Sequence, residues 1–188
     1  FRNVTGVQTC ALPISEWCTK FQVETWAYCL MPNHIHLIVV PETKDGLNQA
    51  IGEAHRRYTR RINFREGWRG HLWQGRFSSF SMDEGYLLAC TRYVELNPVR
   101  AGLVKKPEDW HWSSAGPHMK GKDDILVKTK PLLEMVNKPW EDFLAIDAQE
   151  PEIALFRKHE RTGRPLGVDS FIGTMELLQK PGPKKKDK

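Results

Sequence analysis

The sequence predicts an α+β domain that contains a small antiparallel sheet and several helices. Two short segments of alternating polar and apolar side chains flank the turn pair Pro32-Asn33, which predicts two antiparallel strands. Two later segments repeat apolar residues at helical spacing. The chain has 188 residues, of which 40% are hydrophobic, so it is long enough for one domain with an appendage.

The strand pair is predicted over Val23–Met31 and His34–Val40, and Pro41 ends the second strand because proline has no N–H to donate. Successive strand side chains point to opposite faces, so His34 and His36 share one face about 6.6 Å apart. Two imidazoles at that spacing can converge on one divalent ion. The alternative is a pair of hydrogen-bonded histidines on a half-exposed strand, which the pair alone does not exclude.

A long helix is predicted from about Gly46 to Asn63, with Asp45 as its N-cap. A segment rich in glycine, arginine and aromatic residues follows, which predicts a loop that ends in a short strand over residues 76–80. The buried stripe of the helix consists of apolar residues at helical spacing: Leu47, Ile51, Ala54 or His55, Tyr58 and Ile62.

A second long helix is predicted over Asp83–Leu96. It starts at a capping box in which the Ser81 side chain accepts a backbone N–H and Glu84 reaches back. It stops before Pro98, because the residue that precedes a proline avoids helical geometry. A short turn closed by Gly102 follows.

The chain divides into four predicted segments. Residues 1–15 show neither helical period nor strand alternation and resemble a translated sequencing adaptor, so we expect an artefact there. Residues 16–124 form a domain that we expect to be truncated at its N-terminus, beginning with the last turn of a helix. A helical and basic appendage covers residues 125–180, and residues 181–188 form a disordered basic tail.

Charge and cysteine content narrow the class of protein. The net charge of +5 favours an anionic partner, with nucleic acid first and a membrane surface second. No apolar run of about 18 residues occurs, so no membrane span is predicted. The four cysteines form no CxxC pair, which argues against a zinc–thiolate knuckle and predicts reduced, cytoplasmic thiols.

Tyr93 and Asn97 lie four residues apart at the end of the second long helix, and therefore on one face. A tyrosine hydroxyl is a weak nucleophile at neutral pH. A metal ion that polarises a phosphate, together with a base, would correct this, and Asn97 would add an oxygen ligand. Two alternatives remain open: Tyr93 as a core aromatic residue, and Asn97-Pro98 as the N-cap and first residue of the next turn.

A basic surface is predicted on the first long helix. Four arginines form two i, i+4 pairs whose repulsion an anionic partner would relieve, although a solvated basic face is the alternative: Arg56, Arg57, Arg60 and Arg61.

The loop that follows adds aromatic rings among positive charges, as single-strand binding proteins do, or packs these rings at the rim of the core: Trp68, Trp73, Arg76 and Phe77. Trp73 is the residue we favour for a base or hairpin contact. Arg100 either approaches a phosphate near Tyr93 or caps the helix end.

Three motifs, in the order YCLMPNHIHLIVVPE, HLWQGRFSSF and YLLACTRYVELNPVRAGLV, resemble the single-tyrosine HUH transposases. The branch they resemble is the REP-associated tyrosine transposases, over about residues 16–124. The resemblance implies a small antiparallel sheet with helices on one side, similar to a ferredoxin-like or RRM-like arrangement. Relatives begin with a further strand and helix, which we expect to be missing here.

The resemblance also implies a mechanism. His34 and His36 would hold Mg²⁺ or Mn²⁺, Tyr93 would be the nucleophile, and Asn97 would complete the metal site, although it is shorter than the glutamine of some relatives. The substrate would be single-stranded or hairpin DNA, cleaved and rejoined through a covalent 5′-phosphotyrosine. The family is bacterial and cytoplasmic, and a monomer or homodimer is expected. The alternatives are a non-catalytic nucleic-acid-binding relative or inactive fragment, and a replication initiator or relaxase.

Overall fold

The computed structural model describes residues 7–146 and 150–178. It confirms an α+β fold with a two-stranded antiparallel sheet. It also contains a 3-10 turn over Pro107–Asp109. The helices and strands are α1 (Val7–Lys20), β1 (Val23–Leu30), β2 (Ile35–Pro41), α2 (Gly46–Glu66), α3 (Glu84–Glu95), α4 (Asn97–Arg100), α5 (Ala115–Lys120), α6 (Lys130–Met135), α7 (Trp140–Leu144), α8 (Glu150–Thr162) and α9 (Asp169–Leu178).

The described residues divide into two compact units, which we treat separately. The first comprises residues 7–77 and 91–146, and the second comprises residues 78–90 and 150–178. The predicted boundary at 124/125 falls inside the first unit, where Leu126 and Val127 are buried. The predicted disordered tail, residues 181–188, lies outside the described residues.

The two strands pair in the register that brings Cys29 opposite His36 and Leu30 opposite Ile35. Both strand predictions are correct to within one residue at each end. Pro41 does not stop β2 beforehand but is its last paired residue, opposite Val23. Proline is tolerated at this position because it lacks only the backbone N–H, while its carbonyl can still accept a hydrogen bond within the ladder.

The other edge of β1 is bonded to two later segments of the chain. The N–H of Leu30 donates to the carbonyl of Trp112 (2.8 Å), and the N–H of Ser114 donates to the carbonyl of Tyr28 (3.0 Å). Further along, the N–H of Lys128 donates to the carbonyl of Thr25 (2.8 Å). Backbone partners therefore flank β1 on both edges.

One face of the hairpin builds the core of the first unit. The two longest helices of this unit, α1 and α2, pack against each other and against β1. Ile35, Leu37 and Val39 pack into this core, and His34 and His36 lie on the opposite face. The buried residues of the core include Ile14, Trp17, Tyr28, Leu30, Ala50, Ile51, Ala54, Tyr58 and Ile62.

Helix α1 extends further towards the N-terminus than the predicted domain start at Glu16. It begins at Val7, and both Ala11 and Ile14 on it are buried. Pro13 lies inside the helix, which weakens the local helical signal. The contacts with α2 explain why this segment is helical despite its sequence pattern.

Asp45 occupies the N-cap position of α2, as predicted, and its carbonyl accepts the N–H of Gln49 (3.0 Å). Its backbone is in the helical region, and its side chain makes no capping hydrogen bond. The helix also runs three residues past Asn63, because Gly67 closes it in the left-handed conformation at φ 65°.

The prediction of a capping box at Ser81 is wrong. The Asp83 carboxylate caps α3 by accepting the N–H of Tyr86 (3.2 Å). The carbonyl of Ser81 instead accepts the N–H of Leu166 (2.8 Å), in the second unit. Residues 76–80 contain no strand in the structure, whereas Gly102 has the positive φ (67°) that a closing turn residue needs.

The second unit is organised around Asp83 and the segment that ends at Gly167. The second carboxylate oxygen of Asp83 accepts the N–H of Val168 (2.8 Å). A Cβ on Gly167 would lie 2.6 Å from the ring of Phe171 and 2.7 Å from the Asp83 carboxylate, so only glycine fits there. Helix α8, a further part of this unit, lies within the segment predicted to be helical and basic.

No helix within the described residues is both long and apolar enough to cross a membrane. Cys18, Cys29 and Cys90 are buried free thiols. Burial, followed by the nearby Glu95 carboxylate, raises the pKa of Cys29 to about 12, and burial raises that of Cys90 to about 12. These two thiols are therefore protonated at neutral pH.

Candidate active site and nucleic-acid surface

The two histidines of the MPNHIH motif lie side by side at the start of β2. Their ring centroids are 4.7 Å apart and the ring planes are perpendicular. His34 is exposed and His36 is half-buried. Strand alternation explains this arrangement, because residues 34 and 36 leave the hairpin on the same face.

Asn33 orients the first of these rings. Its side-chain oxygen lies 2.6 Å from Nδ1 of His34, so Nδ1 is the donor in this hydrogen bond. Metal-binding histidines are commonly oriented in this way by an acceptor at their second nitrogen. The sequence pattern assigns Asn33 only to the turn, and nothing in that pattern indicates this second role.

The helix α3 brings Tyr93 to the same face of the hairpin. The centroid of its ring lies 5.7 Å from that of His36, at an interplanar angle of 77°. Tyr93 is 6% exposed. The two residues are far apart in the sequence, so this proximity depends on the way that the last turn of α3 crosses the hairpin.

Arg100 covers the tyrosine from the next helix. Its guanidinium carbon lies 4.6 Å from the centroid of the Tyr93 ring, and the guanidinium also donates a hydrogen bond to the Tyr93 carbonyl. Both contacts favour a fixed ring position, and the first is a cation–π interaction. The structure therefore brings together four of the predicted site residues: His34, His36, Tyr93 and Arg100.

Asn97 begins the short helix α4 and does not act as its N-cap, which is Leu96. Its Nδ2 atom is buried and has no hydrogen-bond partner. Rotation of the side-chain amide exchanges the positions of Nδ2 and Oδ1. Because Nδ2 makes no hydrogen bond, this rotation breaks none of its bonds and places an oxygen atom at the buried position. Within residues 7–146 and 150–178, no three His, Cys, Asp or Glu side chains cluster around a common metal position.

The arginines of α2 form a separate surface, and three of them have partners, of which Arg65 pairs with Glu66 at 2.6 Å. The Arg56 guanidinium pairs with Glu53 at 2.5 Å, and Arg57 lies 5.0 Å from the centroid of the Trp17 ring. Arg60 and Arg61 are exposed on the same helix, and Arg76 is exposed in the following loop. The four predicted arginines of α2 and Arg76 are thus all exposed on this part of the first unit.

Trp73 and Phe77 are half-buried and pack against the core. Trp73 stacks on His55 with ring centroids 4.0 Å apart, and its indole N–H donates to the His55 carbonyl (3.3 Å). Phe77 meets His55 edge-on at 6.5 Å. Burial lowers the pKa of His55, so its ring is neutral at pH 7 and stacks without a charge. One face of the Trp73 ring is therefore covered by protein.

Phe64 is an aromatic residue of this surface that the sequence analysis does not single out. It is 91% exposed, whereas Trp68 is 40% exposed. Phe64 lies three and four residues after Arg61 and Arg60, so its ring shares their side of α2. The available signal was its position outside the apolar stripe that ends at Ile62.

Comparisons with known proteins place the matched region in one family. The family model described as "Transposase IS200 like" matches residues 7–97. That range contains both histidines, Tyr93 and Asn97. No solved structure shows a significant match to the chain.

Two curated relatives have names that contain the phrase "REP-associated tyrosine transposase". The relative from Haemophilus influenzae is 31% identical over 108 residues, which cover 52% of this chain and 61% of the relative. The relative from Escherichia coli is 24% identical over 95 residues, covering 50% of this chain and 54% of the relative. The chain thus spans between about half and three fifths of the length of these relatives. Residues 7–97, about half of the chain, are thus similar to the IS200-like transposase family.

Proposed function

We propose that this protein cleaves and rejoins single-stranded DNA at hairpin-associated sites, with Tyr93 as the nucleophile. The observation that carries the proposal is the meeting of Tyr93, His36 and His34, whose neighbouring ring centroids lie 5.7 Å and 4.7 Å apart. The names of the two curated relatives, both of which contain the words tyrosine transposase, support the same reaction class.

In the proposed reaction the Tyr93 oxygen attacks a backbone phosphorus of the DNA. The phenol loses its proton, a new bond joins the tyrosine oxygen to the 5′ phosphate, and the bond from phosphorus to the 3′ oxygen breaks. That oxygen takes up a proton and leaves as a 3′ hydroxyl. Because one phosphodiester replaces another, a second 3′ hydroxyl can reverse the step and rejoin strands without ATP.

The residues present fit a divalent metal ion. The Asn33 oxygen orients the His34 ring through Nδ1, His36 lies beside it, and the Asn97 amide has a buried polar atom without a partner. We propose that His34, His36 and Asn97 hold Mg²⁺ or Mn²⁺, with water or phosphate oxygens as the remaining ligands, which these ions prefer. When bound, such an ion would polarise the phosphate and stabilise the charge that develops in the transition state.

The other residues of the site bind and orient. Arg100 holds the Tyr93 ring and carbonyl, and we propose that its exposed side chain contacts a phosphate of the bound strand. We propose that the arginines of α2 contact the DNA backbone and that Phe64 stacks on an unpaired base. The second face of Trp73, and Phe77, would contribute at the rim of the same surface.

The test is a covalent-adduct assay. A pool of single-stranded oligonucleotides, each with an imperfect hairpin and randomised flanks, is labelled at either end and incubated with the protein and Mn²⁺. We expect the 3′-end label to migrate with the protein on a denaturing gel, and the 5′-end label to appear on a shorter free strand. A chelator should remove both products, and peptide mapping should find the linkage on Tyr93. Binding without either product would instead support the non-catalytic alternative.

If the arginines of α2 contact DNA phosphates, removing their charge should weaken the salt dependence of DNA binding. The double variant Arg60→Gln/Arg61→Gln should bind single-stranded DNA less tightly, because each lost phosphate contact reduces the slope of log K against log salt by about 0.7, or about 1.4 for two contacts. Filter binding or anisotropy over a salt series measures the slope.

The matched control for that variant is Lys122→Gln/Lys138→Gln, which removes the same charge from exposed positions outside α2. Its slope should equal that of the unmodified protein. Equal slopes for both double variants would show that binding responds to total charge and not to this surface.

A further inference from the structure

A buried carboxylate lies two residues after the nucleophile. Glu95 ends α3 and is fully buried, with 0% exposure. A charged group in such a place is unfavourable unless several donors satisfy it. Three donors do so here: the Ser114 hydroxyl at 2.5 Å, Nδ1 of His118 at 2.7 Å and Nε1 of Trp140 at 2.7 Å.

The first donor connects Glu95 to the hairpin that carries the histidines. Besides donating its hydroxyl to Glu95, Ser114 donates its backbone N–H to the carbonyl of Tyr28 (3.0 Å) and accepts the N–H of Tyr28 on Oγ (2.9 Å). Tyr28 precedes Cys29, the residue of β1 that pairs with His36. A short series of hydrogen bonds thus joins the end of α3 to the strand position opposite His36.

The other two donors fix the carboxylate within the unit. The rings of His118 and Trp140 stack with centroids 4.2 Å apart, and each gives its hydrogen bond to a different oxygen of Glu95. Both rings belong to helices of the same unit, α5 and α7. The carboxylate therefore has no freedom to turn without losing a bond.

Because Glu95 lies on α3, the hydrogen bonds that fix its carboxylate also affect the position of Tyr93. Residues two apart on an α-helix point about 200° apart around its axis. Glu95 and Tyr93 thus leave opposite sides of the helix, one towards Ser114 and the other towards His36. Fixing one side sets the rotation of the helix, and with it the position of the phenol.

We propose that Glu95 is a positioning residue for strand cleavage, which acts through α3 to hold Tyr93 beside His36 and does not itself touch the DNA. This inference rests on the proposed function. Ser114 is the link to the hairpin, while His118 and Trp140 hold the carboxylate. Small displacements of a reacting group reduce the rate of reaction steeply. A fixed Glu95 carboxylate would therefore affect the rate of strand cleavage in addition to the stability of the fold.

The experiment distinguishes an effect on the rate constant of adduct formation from an effect on the fraction of folded protein. Ser114→Ala and Glu95→Gln are compared with the unmodified protein in single-turnover adduct formation at saturating oligonucleotide, with the rate constant and the final amplitude recorded separately. We expect the rate constant to fall by about tenfold or more in both variants, since an error of about 1 Å in placement can reduce rate by about 10². The DNA dissociation constant should stay unchanged.

Thr129→Val is the matched control. It removes a buried hydroxyl of the same unit, bonded to Asp123 at 2.9 Å, with no contribution to the Glu95 cluster. Its rate constant should equal that of the unmodified protein, whatever its thermal stability.

The amplitude and the folded fraction decide whether the inference fails. If Ser114→Ala and Glu95→Gln lower only the amplitude, in proportion to the folded fraction measured by thermal melting, Glu95 has a structural role alone. If Glu95→Gln does not fold, Ser114→Ala decides. If the unmodified protein forms no adduct, the proposed function itself fails, which the first lane of the gel distinguishes from a failure specific to Glu95.

Discussion

Tyr93→Phe is expected to abolish the covalent protein–DNA adduct, with a loss of at least about 10³-fold, because removing a nucleophile eliminates the route through the covalent intermediate. The substitution deletes one oxygen. The remaining ring keeps its contacts with His36 at 5.7 Å and with the Arg100 guanidinium at 4.6 Å, so folding and DNA affinity should be preserved. The measurement is the denaturing-gel assay together with a binding titration of the same oligonucleotides.

Tyr86→Phe is the matched control for that result. Tyr86 lies seven residues earlier on the same helix, and two turns bring its side chain to nearly the same side. Its substitution should leave adduct formation intact. If Tyr93→Phe still forms the adduct, or if only Tyr86→Phe loses it, Tyr93 is not the nucleophile.

The strand pair and the common face of its histidines were predictable because their signals are local. Alternation over Val23–Leu30 and Ile35–Pro41, and the turn pair between them, are contained within twenty residues of sequence. The meeting of His36 with Tyr93 was not predictable in this way. It joins residues from separate elements, and only the combination of motifs suggested it.

The elements that sequence reasoning missed depend on tertiary contacts. Ser81 has the local sequence of a capping residue, yet its carbonyl is bonded to Leu166 and Asp83 caps the helix. Glu95 has the local sequence of a charged residue at a helix end. Its three donors follow 19, 23 and 45 residues later in the chain, so no local pattern indicates that it is buried.

The same reason applies at the N-terminus, where the absence of a periodic pattern argued against structure in residues 1–15. Helix α1 begins at Val7, and its burial follows from the packing of α1 on α2. Helices of this length gain most of their stability from such packing and not from intrinsic propensity. A pattern-based boundary at Glu16 therefore divides a helix whose buried side chains lie on both sides of it.

Ile14→Ala is expected to lower the free energy of unfolding by about 2–5 kcal/mol, the range observed when a buried isoleucine is truncated to alanine. Ile14 is 0% exposed and belongs to the core formed by α1, α2 and the hairpin. Truncation removes its methyl and methylene groups from that core and leaves a cavity that the neighbouring helices fill only in part. Urea unfolding followed by tryptophan fluorescence measures the change, with Trp17 as a reporter within the same helix.

Leu12→Ala provides the comparison on the same helix, because Leu12 is 57% exposed and should change the stability by less than about 0.5 kcal/mol. Both substitutions remove apolar groups from α1 and place the same residue there, so helix propensity contributes little to the difference between them. A large effect at Ile14 with a small one at Leu12 requires α1 to be docked on α2 in solution. Equal, small effects would mean that the segment before Glu16 contributes nothing to the core, and that the boundary drawn from the sequence pattern was the physical one.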